Sequence, residues 1–164
     1  MFEGNPKLEN MDDASKMVME FAFASAVAET QLKACTAALG SRQFNIVIEE
    51  ASKAINLIEK SPNIAEMMAG SMVMLYAMRA PSYQALGASR QDPSMLHLAL
   101  DDYNRVEKTA NMLSEDQRAM IIERGILSSA RNDKARIRSL LALLEDHSYQ
   151  SLTPTKKKPW WKFW

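Results

Sequence analysis

The sequence is poor in the residues that break helices and in those that cross-link chains. Among 164 residues there are five glycines, six prolines and one cysteine. A single cysteine excludes an internal disulfide. Cys35 sits among Ala34, Thr36, Ala37 and Ala38 in a helical pattern, and reads as a small buried apolar residue in a chain kept in a reducing compartment. Few glycines and prolines, with long stretches free of both, disfavour a loop-rich or β-sandwich design. No segment alternates with period two between hairpin turns, which argues against strands. The most apolar run, Met17 to Ala28, is interrupted by Glu20 and is too short to span a membrane. The first residues, Met1 to Asp13, are polar and mildly acidic, unlike a secretory leader. A cytoplasmic protein is expected. Formal net charge is zero, so no global field draws nucleic acid.

What is present is helix. Apolar residues make up 47% and charged residues 24%, ordinary values for one globular domain of this length. Asn10, ahead of Met11-Asp12-Asp13, reads as an N-cap with acids in the first turn, and the helix it opens runs to Leu39 with Gly40 as its stop. A second helix spans about Gln43 to Lys60 and closes at Ser61-Pro62. Asn63 and Glu66 have capping-box spacing and open a third, which runs to Leu86 with a kink or break at Pro81 and a stop at Gly87. Residues 87 to 94 read as a loop. Ser94 caps a fourth helix, 95 to 113, with the apolar stripe Met95, Leu98, Ala99, Tyr103, Val106, Ala110 and Leu113. Ser114 and Gln117 make another capping box, opening a helix to about Ala130. Asn132-Asp133 starts a sixth, which fades at His147.

Six helices with short turns suggest three antiparallel pairs. The segments Arg79 to Gly87 and Leu98 to Val106 resemble a tetratricopeptide repeat. Tyr83, Leu86 and Gly87 match the close of that unit's first helix, and Ala99 and Tyr103 match its small residue followed four later by an aromatic. Ala34 to Leu57 is similar, with Leu39-Gly40, Val47, Ala51, Ala54 and Ile55 at matching places. Arg124-Gly125-Ile126-Leu127 with Ile137 to Leu144 resembles a third copy. The family's Trp is missing from each copy, and the two Leu-Gly pairs stand 47 residues apart against a repeat of about 34. The resemblance implies an all-α array of about three hairpins. It also implies a non-catalytic adaptor, scaffold or chaperone-like module that binds a peptide or protein.

The titratable side chains point to the same class. His97 falls on a polar helix face with Asp101, Asn104 and Lys108, and neither it nor His147 has a second His or Cys at ligand spacing. Neighbouring acids such as Asp101-Asp102 diverge by about 100° on a helix, so they read as solvated rather than as an acid–base pair. No phosphate-cradling glycine loop or nucleophile elbow occurs. No enzyme, cofactor or metal is expected. The methionines Met67, Met68, Met72, Met74 and Met78 crowd one helix and read as core, or as an adaptable binding face. Met72, Tyr76 and Tyr83 are candidates for a groove on that helix.

The end of the chain differs in kind. Residues 1–10 read as an unstructured lead-in, 11–147 as the helical domain, and 148–164 as a flexible tail. The tail holds Lys156, Lys157, Lys158 and Lys162 and no acid, so residues 1–147 carry 16 basic and 20 acidic groups, net −4 against +4. All three tryptophans are there, Trp160, Trp161 and Trp164, with Phe163 among them. Each such ring buries some 150–250 Å² when it can. Three uses compete: docking into a partner or another copy of the chain, attachment to an anionic membrane surface, and packing on the chain's own core. An acidic body without other basic stripes argues against nucleic acid.

Overall fold

The computed structural model describes residues 12–152, with side chains placed as far as residue 146. Expectations for residues 1–11 and for the tail beyond 152 lie outside the described residues. These include the lead-in, the Asn10 cap, and the contact set Lys156, Lys157, Lys158, Trp160, Trp161, Lys162, Phe163 and Trp164. Among the described residues the chain is all-α, with seven helices: α1 (Asp13–Gly40), α2 (Phe44–Ile58), α3 (Pro62–Met67), α4 (Ala69–Arg90), α5 (Pro93–Ala110), α6 (Glu115–Glu123) and α7 (Ile126–Leu152).

Local chemistry sets most of the boundaries. Asp12 caps α1; its carboxylate accepts from the Ser15 amide at 2.7 Å. Gly40 stays helical, and Arg42 takes the left-handed conformation at φ 55°. The Gln43 amide then reaches the Ala38 carbonyl (2.8 Å) and the Arg42 amide that of Leu39 (3.0 Å), closing the last turn in a Schellman arrangement. Pro62 stands at the first turn of the short α3, where a missing amide costs nothing, so the Asn63–Glu66 box does not form. The Ser114–Gln117 box does form, with both reciprocal bonds. Its helix is short, because Gly125 at φ 70° separates α6 from α7; α7 then continues past Asn132 without interruption.

Two punctuation marks act differently from their usual sense. α4 passes through Pro81 without a break and past Gly87 to Arg90. Gly87 is buried because α5 crosses there. A Cβ at this position would come within 2.9 Å of Leu96 Cδ2 and 3.1 Å of the Leu96 backbone nitrogen. The glycine serves close helix approach rather than termination. The turn falls instead at Gln91 (φ 52°), and Asp92 rather than Ser94 caps α5.

The long helices pack in sequence order: α1 on α2, α2 on α4, α4 on α5, and α5 on α7. Small residues on one face of α1, Ala24, Ala28, Cys35 and Ala38, meet Val47, Ala51, Ala54, Ile55 and Ile58 of α2 in a fully buried seam. The Cys35 thiol lies 3.7 Å from the Val47 carbonyl. Between α4 and α5 the core is Met72, Val73, Leu75, Tyr76 and Ala80 with Leu96, Ala99, Tyr103 and Val106. Leu96, not Leu98, faces inward on α5; Leu98 is exposed. Ile137 and Leu141 close the core from α7. α1 also touches α4, and α4 touches α7, so these three form one layer with α2 and α5 behind it.

Candidate functional site

Two features stand out against this frame, one polar and one apolar. The polar one is a seam of ionic and hydroxyl groups linking α2, α4, α5 and α7. At its centre Arg79 of α4 donates from Nε and Nη2 to the two carboxylate oxygens of Asp102 on α5, each at 2.7 Å, and from Nη1 to Ser52 Oγ of α2 at 2.8 Å. The guanidinium lies 5.6 Å from the Tyr76 ring centre and 5.8 Å from that of Tyr83. Asp102 is 3% exposed, not solvated. Burial pushes its carboxyl above the ordinary value, while Arg79 pulls the other way.

The seam continues on both sides of this pair. The Tyr76 hydroxyl donates to Glu59 Oε1 at 2.6 Å and accepts from Arg105 at 3.0 Å, and Arg105 also reaches Glu59 at 2.6 Å. Burial, and then the bond to Glu59, push the Tyr76 phenol up to about 12. Tyr103 Oη lies 3.2 Å from both Gln84 Oε1 and Asp133 Oδ2. Lys134 pairs with Glu107. No buried side-chain nitrogen or oxygen among the described residues lacks a partner. A saturated network of this kind ties the helices together. Met72 and Tyr76 are therefore placed in the core and Tyr83 is half-buried beside Arg79.

The apolar feature was not singled out by spacing as a site. The run Met17 to Ala28 has Glu20 as its sole ionisable residue, and a helix that is apolar all round is normally covered all round. Here it is covered on one side. Val18 is 64% exposed, Met19 50% and Phe23 53%. Beside them opens a groove of about 480 Å³ between α1, the end of α2, and α3. Met19, Phe23, Ala24, Leu57 and Ile64 give it apolar walls; Glu20, Lys60 and Ser61 add polar groups. That size is within the range of sites that take small apolar ligands or side chains. The apolar run was the signal in the sequence; what spacing could not show was which side of it would stay bare.

His97 is exposed on α5. Among the described residues no cluster of three or more His, Cys, Asp or Glu is placed to hold a metal, and no helix is long and apolar enough to cross a membrane. No protein-family model, curated protein or solved structure matches the chain.

Proposed function

We propose that this protein is a non-catalytic interaction module whose helical body binds an apolar peptide or helix segment in the groove along the first turns of α1. The observation that carries the proposal is the bare apolar face of α1. Exposed apolar surface set beside a concavity marks an interaction site more often than chance exposure does. The order of packing, with alternate long helices forming a layer, supports an array of helix hairpins similar to tetratricopeptide repeats, a form suited to peptide recognition. The saturated polar seam supports a scaffold role for the rest of the body. The tail set Lys156 to Lys158 and Trp160 to Trp164 supplies a second contact element, for a protein partner, another copy or an anionic membrane.

A random-peptide phage library selected on the full chain, with the Phe23→Asp variant as counter-selector, tests the groove. Enrichment of apolar or aromatic sequences that bind the wild type and not the variant is expected. Equal binding to both, or no enrichment, overturns the proposal.

A further inference from the structure

We propose that the groove along α1 receives the Trp-rich tail of a second copy of this chain, so that the protein associates with itself head to tail. The inference rests on the groove reading above and names its occupant.

Complementarity comes first. The groove offers a thioether and a phenyl ring, Met19 and Phe23, with Leu57 and Ile64 behind them. These are surfaces on which indole packs well, by sulfur–aromatic and edge-to-face contact. The tail offers Trp160, Trp161, Phe163 and Trp164. Lysines flank these rings; the groove carries one acid, Glu20, without an ion-pair partner among the described residues, and one base, Lys60, so the favourable charge comes from the acidic body as a whole. Residues 1–147 carry net −4 and the tail +4, so the long-range field brings the two together.

Register then decides between the chain's own tail and another's. Glu59, beside the groove residue Lys60, meets Tyr76 and Arg105. On the neighbouring turn of α5, Asn104 and Glu107 meet Lys134 near the start of α7. The groove therefore lies level with the amino-terminal third of α7. From Lys134 that helix runs 18 further residues to Leu152, about 27 Å away at 1.5 Å per residue. α4 separates α7 from α1, which adds about 18 Å sideways at 8–10 Å per helix. The direct distance from Leu152 to the groove is thus about 32 Å, and longer around the surface. Trp160 is eight residues beyond Leu152 and reaches at most about 29 Å when fully extended. Trp160 cannot seat in its own groove and Trp161 reaches it only along a straight line through the protein; Phe163 and Trp164, which extend to about 40–43 Å, could reach it alone, so the aromatic cluster as a whole seats only from another molecule. A second copy has no such constraint.

The experiment uses the absence of Trp from the rest of the chain. Full-length protein carrying Trp160→Ala, Trp161→Ala and Trp164→Ala has no indole, so added synthetic peptide of residues 152–164 supplies all of the indole emission. A saturable blue shift of that emission is expected. It should weaken about tenfold or more with Phe23→Asp added, as for loss of a central anchor, and likewise with Met19→Asp, the other groove-lining apolar residue exposed on this helix. Met120→Asp, on exposed α6, should leave it unchanged. In the unmodified chain, light scattering should show mass rising with concentration, and Phe23→Asp should abolish the rise. Peptide emission that does not move, or moves equally with Phe23→Asp, overturns the inference. So does a shift produced by anionic phosphatidylserine vesicles and not by the protein. Nile red, an uncharged apolar dye, separates the two layers of the argument. If it binds the Trp-free chain in a Phe23-dependent way while the peptide stays silent, the groove stands and the tail does not. If neither binds, both fall.

Discussion

Asp102→Ala should destabilise the fold by about 3–5 kcal/mol, the cost of leaving a buried charge without its counter-ion. In the native protein Arg79 spends three nitrogens on partners: two on Asp102 at 2.7 Å and one on Ser52 at 2.8 Å. After the substitution only the Ser52 hydroxyl and the faces of Tyr76 and Tyr83 remain. Charge-assisted bonds are worth about 1.5–3 kcal/mol each, and cation–π contact returns about 0.5–2 kcal/mol. The guanidinium cannot swing into water cheaply, because its side chain is only 13% exposed and is held between α2, α4 and α5. Urea unfolding at pH 7, followed by far-ultraviolet circular dichroism, reads the cost as a fall in midpoint at constant slope. The double substitution Arg79→Met with Asp102→Leu removes both charges and should recover most of the loss. A cost below about 1 kcal/mol for Asp102→Ala, or a double variant no better than the single, would refute the argument that this pair is a desolvated structural clamp.

Gly87→Ala should cost about 1–3 kcal/mol despite the better helix propensity of alanine, because the new Cβ meets the Leu96 backbone, which cannot rotate away; thermal melting checks it. Tyr76→Phe should lower stability by about 1 kcal/mol at neutral pH through loss of the Glu59 bond. Its deficit should shrink as the pH rises. The phenol is raised from about 10 to about 12 in the folded state. The stability it contributes is therefore complete below pH 10 and lost between 10 and 12, a window absent from the phenylalanine variant. Urea midpoints measured from pH 8 to 11.5 decide this; parallel curves for the two proteins would contradict it.

Much of the fold was legible because it follows from local chemistry. The all-α class, the first hairpin and the Ser114–Gln117 box follow from spacing and capping residues alone, and the structure carries them. The misreadings occur where a neighbour distant in sequence overrides a local rule. Gly87 has the appearance of a stop, yet the crossing of α5 at Leu96 requires a residue without a side chain inside the helix. Asp102 reads as solvated beside Asp101, though it sits three residues after Ala99 and four before Val106, on the stripe that is buried. The same arithmetic selects Leu96 over Leu98. The missing information was Arg79, 23 residues earlier, which makes a buried carboxylate tolerable. For the groove, the sequence displayed the apolar run Met17 to Ala28 but not its uncovered side, since that depends on where α2 and α3 stop covering α1.

The bare face of α1 is tested most directly by methionine-methyl NMR on the Trp-free full-length chain titrated with indole. The Met19 methyl should shift saturably, with a dissociation constant on the order of 1 mM, while Met112 and Met120, equally exposed at 53%, stay in place. If those two methyls move as far as Met19, or Met19 does not move, the groove is not a binding site.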